Sequence, residues 1–234
     1  HSFDLSKEGY LNLLPVNKKK SKEPGDNELM IAARREFLEE GNYDPLVASI
    51  KDLLTQELRF EKKDFLALDA GCGEGYYSEH ALKKASAKAI VLGTDISKYA
   101  VKNAAKKYKN NLYFVSSIYN MPVASDSMDV ILSVFSPIKP TEFKRILNHK
   151  GFLIVVSPAE NHMKQLAALI YNSFRPHEHK RVEEMPDSFD HYLSKRTTFD
   201  IVIKSSATLQ SLHNTPPNTN TQSHHKTTNT HTHT

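Results

Sequence analysis

From Phe65 to Phe174 the sequence alternates apolar runs of strand length with segments of helical period, and few folds accommodate that alternation. The strand-like runs are residues 65–69 (FLALD), 89–95 (AIVLGTD), 112–117 (LYFVSS), 129–136 (DVILSVFS) and 152–157 (FLIVVS). Between them Val101, Ala104, Ala105 and Tyr108 recur at helical spacing behind Ser97, a residue suited to capping a helix. Phe143, Ile146 and Leu147 mark a second helix, and Met163, Leu166, Ala167 and Ile170 a third. The order predicts an α/β fold built on a doubly wound, mostly parallel sheet.

Upstream, residues 27–42 read as a helix with Met30, Ala33 and Phe37 inward and Gly41 as its stop, and residues 45–58 as another opened by Pro45. The organisation expected is an N-terminal segment (1–24), lead-in helices (25–60), the α/β core (61–175), a cap or sheet extension (176–212) and a low-complexity tail (213–234). The tail carries no acidic residue and has almost nothing to bury, so disorder is the expectation there. No run approaches the roughly 18 apolar residues of a membrane span, and the first residues lack the pattern of a signal peptide. The lone Cys72 cannot form an internal disulfide, so a cytoplasmic protein without a membrane partner is expected. The net charge of +4 suits an ordinary enzyme as well as a nucleic-acid binder.

The chemistry concentrates in residues 66–80, LALDAGCGEGYYSEH, where three glycines follow a predicted strand. A phosphate loop needs Gly-Lys-Ser/Thr at its end, and Gly75 is followed by Tyr76 and Tyr77. A dinucleotide fingerprint counted from Gly71 finds Gly73 in third place but Tyr76 in sixth, where glycine or alanine belongs. What remains is Asp69-x-Gly71-x-Gly73-x-Gly75. This pattern resembles the loop of class I methyltransferases that use S-adenosylmethionine (SAM), a Rossmann-like fold. In such a loop, glycines let the backbone approach the amino-acid part of the cofactor. Asp69 either orients loop donors or meets the ligand's ammonium group. Asp95, ending the second strand, offers an acceptor for both ribose hydroxyls, as NAD-binding proteins also do. The stretch SSIYN has no acid for an adenine amino group, which leaves the backbone at Ser117 and Ile118 for that contact. The acceptor side is expected at FSPIK, with backbone carbonyls at Phe135 and Ser136 and a turn stiffened by Pro137.

The flanks narrow the resemblance. FDLSKEGYLNLLP, PGD at 24–26, M-x-x-A-R-x-x-F-L-x-x-G-x-Y-x-P-L from Met30 to Leu46, LDAGCGEGYY, and GFLIVVSP followed by HMKQLAALIY are together similar to the RlmA family. These bacterial enzymes methylate ring nitrogen 1 of a guanine in large-subunit (23S) ribosomal RNA. The resemblance implies that Tyr43 lies against the cofactor, that Gly73 and Glu74 meet it through the loop, and that His162 closes the site. It also implies ribosomal RNA as partner, with a homodimer left open. The family carries a zinc module of four cysteines ahead of the stretch that opens this chain, so zinc is implied for a full-length form and no metal for these residues. Where the family continues into aromatic and basic residues, Thr215-Pro216 leads into PNTNTQSHH. Lys18, Lys19, Lys20 and Lys22, with Arg34 and Arg35 near in sequence, suit phosphate contact or a solvated loop. Two further readings stay open: a SAM-dependent methyltransferase of a small molecule, and a non-catalytic RNA-binding or ribosome-associated protein that keeps the fold.

Overall fold

The computed structural model describes residues 4–15, 25–57, 64–162, 164, 197–198 and 226–229. The strands are β1 (Tyr10–Asn12), β2 (Phe65–Ala70), β3 (Ala89–Asp95), β4 (Leu112–Val115), β5 (Met128–Val134), β6 (Leu147–Pro158), β7 (Thr197–Thr198) and β8 (Lys226–Asn229). They form one sheet in the order β1-β4-β3-β2-β5-β6-β8-β7. The first six pair in parallel, and β8 joins β6 and β7 antiparallel. The doubly wound parallel core is therefore as the periodicity predicts. Its strand order reverses at β2, which lies between β3 and β5. Ligands of such sheets bind at the carboxyl ends of the strands flanking that reversal.

Side chains alternate across the sheet. On β2, Phe65 and Ala67 join a core with Val130 and Leu132 of β5, under the lead-in helices. Leu68 and Ala70 point the other way, to Ile131, Phe143 and Ile146. The helices are α1 (Glu28–Glu39), α2 (Asp44–Asp52), α3 (Lys98–Lys107) and α4 (Pro140–Ile146). Asn27 caps α1 by accepting from the Met30 N–H, and Ser97 caps α3 by accepting from the Ala100 N–H. Pro45 sits in the first turn of α2, where its missing N–H costs no helical bond. Past Asp52 the chain continues as a wider, π-type turn over Leu53–Glu57, and another, Ser78–Leu82, follows the glycine loop.

Two expectations are corrected. The inward face of α1 is not Met30–Ala33–Phe37: Ile31 is the buried residue and Ala33 is exposed, while Phe37 and Leu38 pack on the core from partly buried positions. Arg35, one turn after Ile31 on the same face, meets a carboxylate of the glycine loop, as described below. Leu147, expected in the second helix, instead opens β6, because its backbone is already extended where α4 ends at Ile146. Within the tail, Lys226–Asn229 form β8, paired antiparallel with β6. The helix expected around Met163–Ile170 lies outside the described residues, apart from Lys164.

Leu68 is fully buried in the central strand. Leu68→Ala is expected to cost about 2–5 kcal/mol, lowering the melting temperature by about 4–20 °C in a thermal melt.

Candidate functional site: the crevice at the strand reversal

The glycine loop occupies 71–75 at the end of β2. The N–H groups of Gly71 and Cys72 both donate to the Thr94 carbonyl, at 2.8 and 2.9 Å, which fastens the loop to the end of β3. All three glycines have positive φ, but their missing side chains face different surroundings. A Cβ on Gly71 would lie 2.3 Å from Cβ of Ser136, and one on Gly75 would lie 2.4 Å from the Tyr113 hydroxyl. At Gly73 a Cβ would meet nothing within 4 Å. Gly71 and Gly75 thus permit packing, whereas Gly73 leaves backbone open to a ligand.

Asp95 stands beside that opening. Its Oδ2 accepts from the Gly73 N–H at 3.0 Å and its Oδ1 from the Ser97 N–H at 2.8 Å. Each carboxylate oxygen keeps a second lone pair, so the side chain can still accept from a ligand's hydroxyls. Burial raises its pKa above the ordinary carboxylate range, opposed by those two backbone donors. Asp69 is different. It is buried under the loop, accepts from the Ser78 hydroxyl at 2.6 Å, and is pushed up to about 7 by burial. Its structural role, tying the loop to the turn that follows, is the one these contacts support.

Glu74 reaches from the loop to the first lead-in helix. Its carboxylate takes the Arg35 guanidinium in a two-point ion pair, with Nε donating to Oε2 at 2.9 Å and Nη2 to Oε1. The lead-in helix is thereby clamped to the loop. A second tie lies close by, where the Ser97 hydroxyl donates to the Asp26 carbonyl at 2.8 Å. There Gly25, at φ +86°, passes so close that a Cβ would lie 2.9 Å from Cβ of Ser97. Arg34 pairs with Asp26. Both arginines that the sequence places near the lysine run therefore have acidic partners, and Lys18, Lys19, Lys20 and Lys22 lie outside the described residues.

Across the strand reversal, the turn after β5 packs on the loop. The Ser136 hydroxyl donates to the Ala70 carbonyl at 2.6 Å and lies 2.7 Å from the Ser133 hydroxyl. Phe135 has φ +52°, a left-handed backbone uncommon for a bulky residue, and its N–H is held by the Val156 carbonyl at 2.9 Å. Pro137 is exposed. Phe135 stands edge-on to Tyr43 at 6.0 Å between ring centroids, and near-parallel to His162 at 6.4 Å. Tyr43 in turn meets Phe37 at 5.4 Å. Tyr43, Phe135 and His162, far apart in sequence, form one aromatic row. Ser117 and Ile118 begin a turn closed by the Asn120 N–H on the Ser117 carbonyl, with the Ile118 side chain in the core.

The residues present fit SAM. Gly73 provides open backbone, Asp95 provides acceptors, and the cation that reaches the loop, Arg35, is neutralised by Glu74 instead of being available to a diphosphate. Sheet, switch point and loop together define a class I SAM-dependent methyltransferase domain.

Comparison with known proteins agrees. A family model described as a methyltransferase domain matches residues 68–155, and one for the RlmA N-terminal region, a zinc ribbon, matches residues 1–22. A Streptomyces fradiae protein named 23S rRNA (guanine(748)-N(1))-methyltransferase is 31% identical over 79% of this chain and 65% of its own length. A Bacillus subtilis protein, named as a candidate 23S rRNA (guanine-N(1)-)-methyltransferase, is 35% identical over 73% of this chain and 60% of its own. A chain in the complex of the Haloferax volcanii Trm112 methyltransferase activator with a methyltransferase shares the fold, with TM-score 0.57 and 16% identity over 89% of this chain and 100% of its own. The chain is similar to RlmA-type methyltransferases, and it spans about three fifths of the length of the curated relatives it matches. The zinc-ribbon match covers a stretch expected to follow that module. It holds no cysteine, and among the described residues no group of three or more His, Cys, Asp or Glu is placed to hold a metal. Nor does any helix among them have the length and apolarity to cross a membrane.

Spacing carries no signal for the Arg35–Glu74 pair, whose partners lie 39 residues apart. Arg35→Gln is expected to weaken SAM binding by about threefold to tenfold, an effect of 1 kcal/mol order, and to weaken it less at high salt; calorimetric titration at two salt concentrations measures both. For Asp69, the folded pKa of about 7 exceeds the ordinary value of 3.8. The folded state therefore binds more protons across that interval, and stability falls as pH rises through it. Asp69→Asn keeps an acceptor for Ser78 and removes the titration. Melting curves of the variant are expected to lose part of the decline between about pH 4 and 7.

Proposed function

We propose that the protein transfers the methyl group of SAM to N1 of a guanine in 23S ribosomal RNA, in the cytoplasm where ribosomes are assembled. The observation that carries this reading is the apposition of the glycine loop, with its Gly73–Asp95 corner, and the Phe135–Ser136–Pro137 turn across the strand reversal, which supports reading the first as the donor side and the second as the acceptor side. The names of the two bacterial relatives supply the substrate.

When bound, SAM supplies a methyl group already activated on a sulfonium, so the chain's task is alignment and exclusion of water. Asp95 orients the nucleoside end through its remaining lone pairs, and Gly73 lets the backbone close on the amino-acid end. Tyr43 and His162 pack against Phe135 and support it beside the loop. The guanine must leave its pairing partner to present N1, and backbone carbonyls of Phe135 and Ser136 accept from its pairing-edge N–H groups. Those contacts orient the base, and the proton that N1 must shed before it attacks passes to water or to the RNA. Every residue in this scheme comes from a single copy of the chain.

Incubated with SAM and unmodified 23S ribosomal RNA, the protein is expected to create a new stop for reverse transcriptase at one guanine, because a methyl at N1 blocks pairing. The upstream-extended form is assayed in parallel, and Asp95→Ala is expected to abolish the stop. SAM binding with no stop in either form would overturn the reading in favour of a small-molecule substrate.

A further inference from the structure

Residues 80–125 contain eight lysines and a single acidic residue, Asp95, which is committed to the cofactor corner. Five of those lysines, 98, 102, 106, 107 and 109, lie on α3 or directly after it, and no acid occurs between Ile96 and Ser125. The helix buries Ala100, Val101, Ala104 and Ala105. Lys98, Lys102 and Lys106 recur every fourth residue, which sets them along the opposite, outward face. Like charges at that spacing weaken a helix, and Lys98 in the first turn also faces the positive end of the helix dipole, whereas Lys106 in the last turn suits its negative end.

Their surroundings leave the charge largely uncompensated. Lys107 is paired with Glu39 at 2.5 Å, and Lys102 reaches Glu8 only at 3.7 Å. Among the described residues no acid pairs with Lys98 or Lys106, both of which are exposed. Lys109 donates to the Glu8 carbonyl, which neutralises nothing. Tyr99, partly exposed, stands within this face. The stripe begins where β3 ends, beside Asp95, and so starts at the rim of the crevice.

We propose that the outer face of α3, formed by Lys98, Lys102 and Lys106, is a phosphate-binding track for the RNA substrate. This inference rests on the proposed rRNA activity. The track runs from the crevice rim down the flank of the domain, and Tyr99 offers a ring on which an unpaired base can stack. It engages the backbone without reading sequence, so it sets affinity and register and leaves the choice of guanine to the crevice.

The test measures binding of the full chain to a labelled, unmodified 23S rRNA fragment by fluorescence anisotropy from low to high salt. It compares the wild type with Lys98→Gln/Lys102→Gln/Lys106→Gln and with a control, Lys51→Gln/Lys150→Gln, in which exposed lysines on other faces are neutralised. Each lost phosphate contact lowers the slope of log affinity against log salt by about 0.7–0.9, so the triple variant is expected to lose about 2 to 3 from the slope. SAM binding, followed by calorimetry, is expected to be unchanged, which shows that the domain is folded. A wild type that binds RNA together with a triple variant of unchanged slope overturns the track and leaves the activity standing. An equal loss in the control also overturns it, since the effect would then be one of net charge. If the wild type binds no ribosomal RNA at any salt, the track and the proposed substrate fail together.

Discussion

The close approach of Gly71 to Ser136 is the contact on which the crevice depends. A Cβ at Gly71 would stand 2.3 Å from that of Ser136, so the backbone after β2 and the turn after β5 touch through the space a side chain would need. Ser136 secures the approach by donating to the Ala70 carbonyl, and the Gly71 N–H secures the other flank by donating to Thr94. Three neighbouring strand ends are thus drawn into one rigid corner. Because β2 is where the strand order reverses, the corner opens outward and does not close over itself. Asp95 and Gly73 then occupy the one part of the loop that no packing fills.

Much of this was legible in the sequence because it depends on local periodicity. The strand runs, the Ser97 cap and the buried face of α3 follow from spacing alone, although β6 starts earlier than its apolar run, at Leu147. The glycine motif was legible as a loop, but not the division of labour within it. Whether a glycine faces a ligand or a neighbouring turn depends on partners about 40 to 65 residues away, Tyr113 and Ser136. The pairing of Glu74 with Arg35 is likewise hidden from spacing, because its partners come from the loop and a lead-in helix. It is two-pronged, and its carboxylate is mostly shielded.

The two aspartates of the site show how environment separates identical side chains. Asp69 sits under the loop with one hydroxyl donor, and burial dominates it. Burial also raises the pKa of Asp95, but two backbone donors oppose that rise, and the carboxylate stands partly open at the rim with lone pairs left for a ligand. Sequence spacing finds both residues but not this difference, because it arises from what covers each carboxylate.

Phe135 combines two demands that no single amino acid meets easily. Glycine or asparagine would relax the left-handed backbone at this turn, yet either would remove the ring that joins Tyr43 to His162. A β-branched residue would fail on both counts. The routes open to variation here are therefore narrow: another aromatic residue that tolerates the same strain, or a relaxed turn with a gap in the wall of the crevice.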